Sequence, residues 1–240
     1  MTRLELPQSE PETGHASIFR AAGITPAERQ AIDLLFSQEQ VRRLVTSLRS
    51  HENSAEVRIL DAAYWEKGCS SLGRLRFAVL AAVDTGKNER HCLIDIKEAA
   101  APAAPRSLIG DLPADNAHRV VEGAQHLSPF LGGRMLSATL LGKAVFVREI
   151  LPQDLKIEIQ HISITNAEDI AKFLAGVVGR AHARQLNAAA RKAWSAELQR
   201  NRSKSLNAPS WLWNSVVALI AMHEAAYLNH CRRYALENAT

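Results

Sequence analysis

The sequence predicts an α+β fold, a mainly antiparallel sheet with one packed helix, followed by an all-helical segment. Three observations predict it. Short runs of period-two apolar alternation recur between Val57 and Gln160. One capped helical stripe near Asp115 interrupts them, and from Thr165 onward every apolar stripe has helical spacing.

The elements follow in order. Met1 to His15 has no apolar core, so it is not a signal peptide and reads as a flexible leader. Thr25-Pro26-Ala27-Glu28 places a capping residue, a proline at the first helical position and a glutamate able to close a capping box. Ile32, Leu35, Phe36, Leu44, Val45 and Leu48 then carry one helix to about Arg49.

Val57 to Leu60 begins the first strand. Leu75, Phe77, Val79 and Ala81 alternate along the second, and Cys92, Ile94 and Ile96 along the third. Asp84 to Glu89 is a turn. An Ala/Pro segment, Ala99 to Pro105, leads to a helix with Ala117, Val120, Val121, Ala124 and Leu127 on one face. Two strands meet at Leu141 to Ala144, where Gly142-Lys143 suits a two-residue hairpin, and Lys156 to Ile159 is a last short run.

Thr165-Asn166-Ala167-Glu168 forms another capping box, and Ile170, Phe173, Leu174, Val177, Val178 and Ala181 continue the stripe to about Gln185. Ala188 to Arg202 is a second, more polar helix, and Pro209 starts a third. The organisation expected is therefore a leader with one helix over 1–55, a sheet unit over 56–160 and a helical segment over 161–240.

Composition bounds the function. With 240 residues, 47% hydrophobic and 22% charged, the chain is not a disordered tail, a collagen-like fibre or a disulfide-stapled miniprotein. A formal charge of +4 is too mild to announce a nucleic-acid binder. Cys69, Cys92 and Cys231 are an odd, scattered set, which suits reduced thiols and a cytoplasmic location. The most apolar stretch, Trp211 to Met222, is shorter than the about 20 residues a membrane span needs, so it reads as a buried helix.

The informative segment is Lys67-Gly68-Cys69-Ser70-Ser71-Leu72-Gly73, between two strands. Glycines and small hydroxyl residues in such a turn let backbone N–H groups approach an anion. Read by itself, it is more simply a plain Gly/Ser hairpin. Ile94-Asp95-Ile96-Lys97 then projects a lysine from a strand near the loop, and a capped helix bearing Glu122 follows. Glycine loop, strand lysine and helix glutamate is the order found in the small lobe of kinase-like enzymes, where the lysine holds nucleotide phosphates and the glutamate orients it.

Five spaced motifs extend this. Lys67 to Arg74, Asp95-Ile96-Lys97-Glu98-Ala99, Arg119-Val120-Val121-Glu122-Gly123, Val147-Arg148-Glu149 and Gly179-Arg180-Ala181-His182-Ala183-Arg184 occur in this order. Together, over about Val57 to Tyr234, they resemble the C-terminal portion of the bacterial domain of unknown function 2252 family, which is grouped with kinase-like folds. The resemblance implies a small-lobe-like unit and a nucleotide site at Gly68, Ser70, Ser71, Gly73 and Lys97, with Glu122 as lysine partner. ATP is the implied nucleotide. Ser70 stands where many members have glycine, and Asp95 stands where an adenine pocket favours a small apolar residue and where it could pair with Lys97.

Phosphoryl transfer also needs an aspartate for the acceptor's proton and carboxylates for magnesium. No His-Gly-Asp or Asp-Phe-Gly type string occurs, and no aspartate follows Asp169. No residue is therefore expected to be catalytic. Magnesium would need carboxylates from a complementary catalytic half, and the chain reads as the second half of a permuted kinase-like protein. A non-catalytic protein-interaction module of the same descent is the competing expectation.

Other constellations carry less. His182 suits a helix C-terminus. His223-Glu224-Ala225-Ala226-Tyr227 lacks the second histidine of a zinc motif, and no Cys/His set has metal-ligand spacing. Ten Lys/Arg face three Glu from Ile170 to Thr240; a solvated helix or a surface facing a protein partner is the expected reading of this basic segment, ahead of nucleic-acid binding. Trp211 and Trp213 are expected to bury against other helices.

Overall fold

The computed structural model describes residues 20–47, 55–66, 71–84, 89–102, 113–150, 162–200, 202 and 208–237. Lys67 to Ser70, the Asp84–Glu89 turn's interior, Lys156 to Ile159 and the Met1–His15 segment expected to be a leader lie outside them. The fold is α+β, with a six-stranded antiparallel sheet in the order β1-β2-β3-β4-β6-β5. Its strands are β1 (Arg20–Gly23), β2 (Glu56–Glu66), β3 (Arg76–Asp84), β4 (Glu89–Glu98), β5 (Met135–Leu140) and β6 (Lys143–Glu149).

Two helices precede the meander, α1 (Pro26–Ser37) and α2 (Glu39–Ser47). The sequence suggested one. The break falls at Gln38, whose backbone is extended, while the Ser37 hydroxyl donates to the Leu34 carbonyl. The start is as expected: Thr25 and Glu28 close a reciprocal capping box. Glu28 also accepts from the Tyr64 hydroxyl, which fastens the helix end to β2. That contact holds the Glu28 carboxyl below its ordinary value and pushes Tyr64 up to about 12.

Alternation assigns the two sheet faces. On one, Phe77, Val79, Ala81 and Val83 of β3, Ile94 and Ile96 of β4, and Val145 and Val147 of β6 pack with Ile32, Leu35, Val41 and Val45. Burying a side chain such as Phe77 contributes about 2–3 kcal/mol. β2 joins this face only through a bulge: Ile59 opposes Ala81 but Asp61 opposes Leu80, so Leu60 is the extra residue. Val57 and Ile59 before it, and Ala62 and Tyr64 after it, thereby share one face despite opposite parity.

The other face receives α3 (Asn116–Leu127), whose Ala117 and Val121 pack with Met135, Phe146 and Ala99. Asp115 caps α3 by accepting from the His118 N–H, as its position in the sequence suggests. The β5–β6 turn is one residue earlier than expected. Leu140 pairs with Lys143, so Leu141 and Gly142 are the central residues, and both have positive φ (51° and 72°). That is the backbone of a type I′ turn, whose twist matches the strands.

The remaining helices are α4 (Ile164–Gln185), α5 (Ala188–Gln199) and α6 (Ser210–Glu237). The α4 cap is Ser163, whose hydroxyl accepts from the Asn166 N–H, two residues before the expected box. The chain separates into two compact units at Val177/Val178, within α4. The sheet unit thus takes in β1, α1 and α2, which the sequence placed in a leader segment. The helical unit is held in part by Trp194 against Trp211, with ring centroids 6.1 Å apart.

Burial of the helical stripes differs from expectation. Phe173, Leu174 and Val178 of α4, and Trp213, Val217, Ile220 and Met222 of α6, are exposed. Helical period was correctly legible there, but period alone does not supply a surface to cover the stripe. Among the described residues no helix is long and apolar enough to cross a membrane.

Candidate functional site

The α3 side of the sheet carries a network of charged residues. Its polar residues sit there because β3, β4 and β6 alternate: Arg76, Asp95, Lys97 and Arg148 point opposite to the Phe77, Ile94, Ile96 and Val147 core. Arg76 is directly across from Lys97, and Asp95 directly across from Arg148.

Asp95 is fully buried and holds two guanidiniums. Arg76 donates through Nε and Nη2 to its two carboxylate oxygens at 2.9 and 3.0 Å, a bidentate fork. Arg148 donates through Nε and Nη2 to Oδ2 at 3.3 Å each. Arg76 is itself buried and lies 4.5 Å from the Trp65 ring centroid. Asp95 is therefore engaged by arginines, where the sequence allowed it to pair with Lys97.

Lys97 is half-buried at the end of this network. Desolvation, and then repulsion from Arg76, hold its ammonium below the usual lysine value. Asp95 pulls the other way, and Arg148 and Arg74 add to the repulsion. A lysine in that field is stabilised by any anion that reaches it.

The turn before β3 is fixed to the lysine strand. Gly73 has φ +70°, which only glycine adopts without strain, and the Arg74 N–H donates to the Ser71 carbonyl at 3.1 Å. Next, Leu75 exchanges hydrogen bonds with Glu98: its N–H donates to Oε2 at 3.0 Å and its carbonyl accepts from the Glu98 N–H at 2.8 Å. Glu98 follows Lys97 directly, so the end of the turn and the lysine are held in register. Ser71 is buried, while Gly73 and Arg74 are exposed. Gly68 and Ser70 lie outside the described residues.

Glu122 follows the buried Val121 on α3, and its contact is His126 one turn on, at 3.7 Å. Arg119, from the same motif, ties α3 to the segment after Lys97 by donating to the Ala100 carbonyl at 2.7 Å. The structure thus brings Lys97 together with Arg76, Asp95 and Arg148, and Glu122 with His126.

Arg76, Arg148 and Trp65 were not singled out as site residues. The signal for Arg76 was present: an arginine inside a strand whose neighbours on both faces are apolar must find a buried partner. Among the described residues no three His, Cys, Asp or Glu side chains converge as a metal site would need. One further cleft, about 500 Å³, lies beside α1 and the start of β2, lined by Asp33, Ser37, Arg42, Glu56 and Arg58 among others.

No curated protein and no solved structure matches the chain. A family model does, over residues 3–233, reaching well before the Val57–Tyr234 stretch that carries the motifs. The chain accordingly belongs to the family described as "Uncharacterized protein conserved in bacteria", domain of unknown function 2252.

Proposed function

We propose that the sheet unit binds the phosphates of a nucleotide such as ATP against Lys97 and the Ser71–Gly73 end of the preceding turn. The observation that carries this reading is the setting of Lys97: half-buried, held below its ordinary pKa among guanidiniums, and registered through Glu98 to a turn with a positive-φ glycine. The order of elements supports it. A turn between two strands, a lysine on the third, a helix, and a hairpin whose second strand returns beside the lysine strand follow the kinase small-lobe sequence of parts.

This reading assigns binding, not transfer. The carboxylates that would hold magnesium and accept a proton would come from outside residues 1–240. Calorimetric titration of ATP into the wild-type protein and Lys97→Ala tests the site; equal affinity in the two proteins refutes it.

A protein-interaction module is the second reading, favoured by the helical unit, where Trp213, Ile220, Met222, Leu228 and Leu236 of α6 are exposed. Partner capture that survives both Lys97→Ala and removal of nucleotide would favour it over the first.

A further inference from the structure

The Lys97 face also bears on which part of a ligand is recognised, an inference that rests on the phosphate-binding reading. A nucleobase needs an open aromatic face or an apolar slot. Among the described residues, Trp65 and Phe146 lie along this stretch, and a guanidinium covers each. Arg76 sits 4.5 Å from the Trp65 centroid, and Arg148 sits 5.9 Å from that of Phe146, which is itself buried. Asp95 pins both arginines from below. Moving Arg76 aside to admit a base would take the bidentate partner from a buried carboxylate and leave a buried cation unpaired.

Donors remain on offer. Arg148 has a side chain 47% exposed, and its contacts to Asp95 are longer than those of Arg76. With Nε and Nη2 turned to Asp95, its Nη1 hydrogens have no partner among the described residues and can donate to an anion. Lys97 and Arg148 are diagonal neighbours on adjacent strands, since Lys97 opposes Phe146 and Arg148 opposes Asp95. Diagonal positions are about 7–8 Å apart at Cα, a spacing that two long cationic side chains can share around linked phosphoryl groups.

We propose that the ligand is recognised by its phosphate chain, with Lys97 and Arg148 as its two cationic contacts and no open aromatic face for a base among the described residues of this stretch. Asp95 is then a positioning residue that holds Arg148 over the face. The test is calorimetric titration of the full chain with ATP, GTP, UTP and inorganic tripolyphosphate. All four should bind within about threefold of one another, because the shared phosphate chain supplies the contacts. Arg148→Gln should weaken all four by about tenfold, the value of one charge-assisted contact. Thermal unfolding of Arg148→Gln should stay close to wild type, because Arg76 keeps Asp95 paired. ATP binding more than about tenfold tighter than tripolyphosphate, or affinity unchanged in Arg148→Gln, overturns the proposal. If Lys97→Ala still abolishes binding in those cases, the phosphate site itself stands. Binding indifferent to Lys97→Ala removes both.

Discussion

Replacing Asp95 by asparagine keeps the shape of the side chain and removes the charge on which Arg76 and Arg148 converge. The two arginines stand differently. Arg76 is buried, with its guanidinium pinned between Asp95 and the Trp65 ring, so it cannot move its charge to water without unpacking β3. Removing one partner of a buried ion pair costs about 3–5 kcal/mol, because the other is left desolvated and unpaired. An amide still accepts one hydrogen bond, which places Asp95→Asn near the lower end, about 3 kcal/mol. For a folded unit of this size that is a fall in Tm of about 10 °C. Arg148, half-exposed, can turn to solvent, so Arg148→Gln should cost less than about 1 kcal/mol. Urea unfolding followed by circular dichroism measures both. Asp95→Asn within about 1 kcal/mol of wild type, or Arg148→Gln as costly as Asp95→Asn, would refute the assignment of Arg76–Asp95 as the buried pair that fixes this face.

Three further outcomes are expected. Lys97, held below its ordinary pKa, carries a larger neutral fraction at pH 9 than a solvated lysine, so amine acylation followed by mass spectrometry should label it faster per unit exposure, and ATP should protect it. The Glu28 carboxyl is depressed in the folded state, so its contribution to stability is present above about pH 4.5 and is lost as pH falls through the lower folded value; the stability gap between wild type and Tyr64→Phe should narrow in that acid range. Leu141 is 45% exposed at φ 51°, so Leu141→Asn should raise stability by about 0.5–1 kcal/mol in thermal unfolding, and a loss would contradict the type I′ turn.

Much of the sheet was legible because β3 and β4 pair in unbroken register, with Phe77, Val79 and Ala81 and then Cys92, Ile94 and Ile96 at alternate positions, and because Thr25 and Asp115 are unambiguous caps. Where reading failed, a local device or a long-range partner decided. The bulge at Leu60 reverses the parity of β2, which period-two reasoning cannot carry across. The Leu141–Gly142 turn needs positive φ at a leucine, a strain that neighbouring pairs impose and that residue preference argues against.

Exposure of the α4 and α6 stripes follows from what each helix meets, and periodicity is silent on that. At the site, Lys97 and the turn before β3 were readable as residue types in order. The Arg76–Asp95–Arg148 network was not, because its members are 19 and 53 positions apart and only strand register brings them together.

Backbone amide spectra recorded during an ATP titration test the central claim most directly, since they report where the ligand lands. Shifts concentrated at Gly73, Arg74, Lys97 and Arg148 are the predicted result. Shifts confined to Asp33, Arg42 and Arg58 around the cleft beside α1, or none at saturating ATP, would contradict it.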